Sequence, residues 1–102
     1  MAGKTKPVAP VHPGETLRED FLKPLGLTAD WLAMELLIPV ARVDNIVLGR
    51  RAVTADTALR LARYFGTTPQ FWMNLQANYD LELAQEASGA EIADRIRPHR
   101  AA

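Results

Sequence analysis

The chain contains no cysteine, which excludes structural disulfides and thiolate metal sites and fits a reducing compartment. Histidine is almost as scarce. His12 and His99 stand near opposite ends, without supporting cysteines, so no zinc-type centre is expected. Ser88 is the sole serine and there is no glycine-rich phosphate loop. That leaves no nucleophile–base set, and the expectation is a protein that is not an enzyme and takes no cofactor or small-molecule substrate. No apolar run approaches the roughly 18–20 residues of a membrane span. The two lysines in residues 1–11 are not followed by an apolar stretch, so no secretory signal is expected. Those residues, with Pro7 and Pro10, read as a short flexible arm, and the protein as soluble and cytoplasmic. Excess charge is also missing: twelve Lys+Arg balance twelve Asp+Glu. An indiscriminate nucleic-acid binder, which depends on neutralising phosphates, is thereby disfavoured.

What is present is apolar and helical. A hydrophobic fraction of 48% over 102 residues supplies one core and leaves no room for two domains. Charge is unevenly spread. Residues 37–55 carry Arg42, Arg50 and Arg51 against Asp44 alone, whereas residues 64–94 have no Lys or Arg but include Asp80, Glu82, Glu86, Glu91 and Asp94. The periodicity is that of helices throughout. His12-Pro13-Gly14-Glu15 starts the first, with Leu17, Phe21 and Leu25 as its apolar stripe and Pro24 and Gly26 at its end. Thr28 caps a second, to about Leu36, and Pro39 opens a third, to about Leu48, closed by Gly49. Thr54 caps a fourth that buries Ala58, Leu61, Ala62 and Phe65 and stops at Gly66. Thr68-Pro69 starts a fifth, with Phe71, Trp72, Leu75, Tyr79 and Leu83 at helical spacing. The chain therefore divides into an arm (1–11), a helical domain (12–87) and a polar, proline-broken tail (88–102), in which residues 91–96 have the pattern of one more helical turn.

The second and third helices meet the demands of a helix-turn-helix. Such a pair crosses closely, which requires a small residue near the middle of the first helix and apolar residues around it. Ala33 is the small residue, and Leu32, Leu36, Ile38, Val43 and Ile46 are the apolar ones. The outward face of the third helix offers Ala41, Arg42, Asp44 and Asn45. Arg50 and Arg51 follow where a loop would meet phosphates. On spacing alone, a plain helical hairpin in an ordinary bundle remains open.

Two longer strings carry a resemblance. TADTALRLARYFGTTPQFWMNLQANYDLELA, from Thr54, and HPGETLREDFLKPLGLT, from His12, are similar to the HigA-type antitoxins of the Xre-like, lambda-repressor-like helix-turn-helix superfamily. The likeness extends over about residues 11–86. It implies an all-α, five-helix lambda-repressor-like bundle, a homodimer that binds double-stranded DNA at its own operator, and neutralisation of a HigB-like toxin. Such toxins are ribosome-dependent mRNA endonucleases of the RelE type. The implied DNA contacts are Thr28, Pro39, Val40, Ala41, Arg42, Asn45, Arg50 and Arg51. A stand-alone regulator without a toxin and an interaction module that has lost DNA binding are the other readings.

Three positions depart from the family pattern. Leu37 occupies the turn position where the family usually has glycine, and a left-handed backbone there costs about 1 kcal/mol for a residue with a side chain. Either the turn is rebuilt or the core accepts Leu37. Ala29 stands where glutamine often touches DNA. Asp44 opposes phosphate and accepts only from cytosine at a base edge. Phe71 and Trp72 are expected in the core, and Tyr79 and Leu83 at a dimer interface. Glu15, Arg18, Glu19 and Lys23 form either a solvated face or part of a toxin-binding surface.

Overall fold

The computed structural model describes residues 9–100. Of the arm expected over residues 1–11, only 9–11 fall among them. Within the described residues the chain forms five helical rods and no strand. The first, α1, is continuous but of mixed pitch: α-helical Pro13–Thr16, π-helical Leu17–Leu22 and α-helical Lys23–Leu25. Then come α2 (Ala29–Leu36), α3 (Val40–Val47), α4 (Ala55–Phe65) and α5 (Pro69–Arg95).

The wide turn in α1 has a cause in Pro24. A proline inside a regular helix lacks the amide that would bond four residues back, and its ring clashes with that carbonyl. In the π-helical segment the ladder reaches back five residues instead, with the Lys23 amide donating to the Arg18 carbonyl. Five-residue spacing then aligns Leu17 with Leu22, and both are buried. Leu25, which a uniform spacing of four would place on the same stripe, is turned out and 59% exposed.

Side-chain oxygens cap the other rods as their sequence suggests. Thr28 accepts from the Trp31 amide at 3.0 Å, Thr54 from Thr57 at 3.4 Å and Thr68 from Phe71 at 3.1 Å. Gly26 and Gly66 end α1 and α4 in the left-handed conformation. Trp72 is the centre of the core, fully buried, with its indole Nε1 donating to Thr67 Oγ1 at 2.8 Å. Phe21 packs on it with ring centroids 5.1 Å apart, and on Phe65 at 4.9 Å. Phe71 lies at the rim of this cluster and is 37% exposed, so only Trp72 of the expected aromatic pair is a core residue.

Two buried polar side chains are also structural. Gln76 Oε1 accepts the Val53 amide at 2.8 Å, and its Nε2 donates to Asp80 at 2.9 Å, tying the loop before α4 to α5. Thr57 sits within 3.3 Å of the Thr54 hydroxyl. Both satisfy the rule that buried polar groups are paired.

The fifth helix runs on where a polar tail was expected. It crosses Ser88 and Gly89 without a break and ends at Arg95, a length of 27 residues and about 40 Å. Its only fully buried residues, Trp72 and Gln76, lie in its first third. Alanine and glutamate around Ser88 are strong helix formers, and propensity alone carries a helix that already has a well-packed start.

Candidate nucleic-acid interface

α2 and α3 pack with Leu32, Ala33, Leu36, Val43 and Ile46 buried between them and Ile38 half-buried at the turn. This is the close crossing that the small residue at position 33 permits. The turn is not rebuilt around Leu37. Its backbone is left-handed (φ 60°, ψ 43°), unique among the described non-glycine residues, and its side chain is 83% exposed. The amide of Ile38 donates to the Ala33 carbonyl at 3.1 Å across it. Leu37 thus takes the glycine conformation with its side chain directed to solvent, and the core takes up none of it.

The orientation of α3 is fixed at both ends. At its C-terminus the approach of α1 is unusually close: a Cβ on Gly14 would stand 1.7 Å from the Ile46 carbonyl oxygen, so only glycine fits. Arg18 Nη1 donates to the Val47 carbonyl at 3.2 Å, satisfying one of the free carbonyls of the last turn. Near its start, Arg42 Nη1 donates to Asp56 Oδ2 at 3.2 Å, and Arg60 Nε reaches the same oxygen at 2.9 Å. The hydrogen bond from Arg60, seconded by the charges of Arg60 and Arg42, holds the Asp56 carboxyl below the usual aspartate range.

The loop after α3 rests on His12. Its Nδ1 accepts the Gly14 amide at 2.8 Å as the N-cap of α1, its ring meets Tyr79 edge-on at 4.8 Å, and Gly49 packs against it, a Cβ there standing 3.8 Å from the imidazole. An accepting Nδ1 is an unprotonated one, and burial pushes this imidazole below its ordinary pKa of 6.5, against the pull of Asp80 and the Arg51 backbone. Residue spacing marked His12 and Gly14 only as part of a helix start, and it tied neither them nor Asp56 to α3. A histidine before Pro-Gly at a helix start was the available signal for the first two.

The surface so held is formed by Val40, Ala41 and Asp44 on α3, all exposed, with Asn45 half-buried beside them. Arg50 and Arg51 are exposed immediately beyond. Thr28 and Pro39 stand exposed at the starts of α2 and α3. Pro39 offers no side-chain acceptor, so the first amides of α3 are not capped by a side chain, and a helix N-terminus of this kind favours phosphate. Arg42 does not stand with this set. Three-quarters of its side chain is covered and its Nε is out of contact with solvent, which puts the guanidinium in the seam between α3 and α4.

Tyr79, expected at a dimer interface, is half-buried on His12 within the chain. Leu83 is 40% exposed, yet at 100° per residue it lies on the far side of α5 from the apolar stripe of Leu81 and Ile92. That stripe, with Ala84 and Gly89, forms a shallow apolar groove on the projecting half of the helix.

A helix pair with a short, fixed second helix, an exposed edge and two arginines in the following loop is a helix-turn-helix of the DNA-reading kind. The Helix-turn-helix family model HTH_3 matches residues 19–72. Virulence-associated protein I of Dichelobacter nodosus is 52% identical over 85 residues, covering 83% of this chain and 78% of that protein. Antitoxin HigA-1 of Vibrio cholerae is 40% identical over 72 residues, 71% of this chain and 68% of that protein. The structure of Pseudomonas aeruginosa antitoxin HigA with the higBA promoter superposes with a TM-score of 0.87 at 44% identity, covering 89% of this chain and 99% of that one. The chain belongs to the HigA-type antitoxins of the Xre-like helix-turn-helix family.

Proposed function

We propose that this chain is the antitoxin of a type II toxin–antitoxin pair, acting in the cytoplasm as a DNA-binding protein without enzymatic activity. As a homodimer it binds an inverted repeat in its own promoter, represses that operon, and neutralises a RelE-like mRNA endonuclease of the HigB type. The observation that carries the reading is the exposed edge of α3 beside Arg50 and Arg51, in a chain so similar to an antitoxin whose structure includes its promoter.

The α3 edge (Val40, Ala41, Asp44 and Asn45) faces the major groove, where Asp44 selects a cytosine amino group and the apolar residues meet thymine methyls. Arg50 and Arg51 neutralise phosphates, and the starts of α2 and α3, at Thr28 and Pro39, approach the backbone. Two such units on a two-fold axis read half-sites a helical turn or a multiple apart. The second copy pairs along the Leu81–Ile92 groove of α5, where Ala84 and Gly89 let two helices approach closely.

The test has two arms. Titration against its own promoter fragment and a scrambled duplex, at two salt concentrations, gives preference for the promoter and a linear loss of affinity with log salt. Equal affinity for both duplexes removes the repressor role. Co-expression with the small reading frame next to its gene restores growth and yields a co-purifying complex. Growth rescue that requires promoter repression and yields no complex removes direct neutralisation.

A further inference from the structure

The helix-turn-helix is pinned from outside itself. Asp56 lies in the first turn of α4, beyond the loop that carries Arg50 and Arg51, and one of its oxygens holds two guanidinium groups. Arg42 comes from the recognition helix α3. Arg60 continues past the carboxylate, and its Nη1 lies 2.8 Å from the Leu36 carbonyl and 3.5 Å from that of Leu37. Those are last-turn carbonyls of α2, which lack partners inside their own helix, and they flank the left-handed residue of the turn. One carboxylate therefore ties the recognition helix and the strained turn before it to the same point on α4.

Two considerations set a role in binding apart from a role in stability. Asp56 keeps 57% of its side chain exposed, and exposed pairs add little to stability. It also places a negative charge beside a helix that faces a polyanion, where simple electrostatics works against binding. We propose that Asp56 is a positioning residue for operator recognition, orienting α3 through Arg42 and closing the turn through Arg60. The proposal rests on the operator-binding reading above. Arg42 in this arrangement is a strut, and base contact falls to the exposed edge of α3.

The experiment is a set of anisotropy titrations on the promoter fragment and a scrambled duplex, with thermal melts of each variant. Asp56→Asn lowers promoter affinity about fivefold or more, although it removes a negative charge, and leaves scrambled affinity within about twofold. Asp56→Glu restores most of the loss. In an Arg42→Met background, Asp56→Asn costs clearly less than it does alone, because the two act through one contact. Asp56→Asn that binds the promoter equally or more tightly overturns the proposal. So does Arg42→Met losing preference at a single base pair that Asp56→Asn keeps, which makes Arg42 a base reader. Should Asp56→Asn lose its helical signal, Arg60→Gln takes its place, with the same loss expected and unchanged affinity overturning. A wild-type chain that binds neither duplex overturns the operator reading as well; discrimination by wild type with Asp56→Asn unaffected overturns this proposal alone.

Discussion

The two halves of α5 are one continuous helix with two different reasons to exist. The first third is held from outside. Trp72 is enclosed by Phe21 and Phe65, and Gln76 bonds the loop before α4. The part beyond Asp80 buries no residue fully, and Leu81 and Ile92 are 58% and 50% exposed. In the body of the molecule a side chain is placed by many neighbours, so a change is felt at once as lost packing. In the projecting half, helical hydrogen bonds set the backbone and the apolar side chains stand largely exposed.

The contrast breaks most sharply at Trp72. Trp72→Ala is expected to cost about 3–5 kcal/mol, a large share of the stability of a domain this size. Leu83→Ala, on the distal half and away from the Leu81–Ile92 groove, is expected within about 0.5 kcal/mol. Chemical denaturation of both variants measures the difference, and comparable losses would mean that the distal half is part of the folding core.

Assembly is expected to respond in the opposite sense. Leu81→Glu with Ile92→Glu gives a chain that keeps its helical circular dichroism, scatters light as a monomer and binds one half-site weakly. Leu83→Glu, on the opposite face, leaves the dimer intact. A monomer from Leu83→Glu and a dimer from the double variant would move the interface to the Tyr79–Leu83 side.

His12 belongs to the packed body, its ring resting on Tyr79 of α5 while it caps α1 and backs Gly49 in the loop after α3. Its pKa is depressed in the folded state, so the unfolded chain takes up a proton first. Stability from this group is full above its ordinary pKa of 6.5 and falls as pH drops from there towards the depressed folded value. His12→Asn keeps an acceptor for the Gly14 amide and is expected to flatten this dependence. Melts of wild type and variant between about pH 7.5 and about pH 5.5 check it, His99 being common to both. Parallel curves would mean that His12 is not the titrating group.

The smallest effect is at the turn. Leu37 is strained and 83% exposed, so Leu37→Gly is expected to stabilise by up to about 0.5 kcal/mol, the relief of the left-handed backbone less the extra freedom of an unfolded glycine. A destabilised Leu37→Gly would mean that the exposed leucine packs on something after all.

Helix starts at Thr28, Thr54 and Thr68, the ends at Gly26 and Gly66, and the apolar set around Ala33 were legible in the chain, because caps and periodicity are local properties of neighbouring residues. The resemblance then placed that pair of helices in a DNA-binding family. Leu25, Arg42 and Tyr79 were not legible. Each is decided by an element distant in sequence or by a change of pitch: the π-helical segment turns Leu25 out, Asp56 draws Arg42 into a seam, and His12 covers Tyr79. The residues that hold the recognition helix, Gly14, Arg18, Asp56 and Arg60, likewise act across the fold on Ile46, Val47, Arg42 and Leu36. Sequence by itself determined where each helix starts and which two pack as a tight pair around Ala33, since those follow from caps and from spacings of three and four residues, while the run of the last helix through Ser88 and Gly89 to Arg95 was not marked in it. Only the tertiary structure decided which side chains remain free to face DNA, because that depends on which charges and carbonyls the packing brings within hydrogen-bond reach.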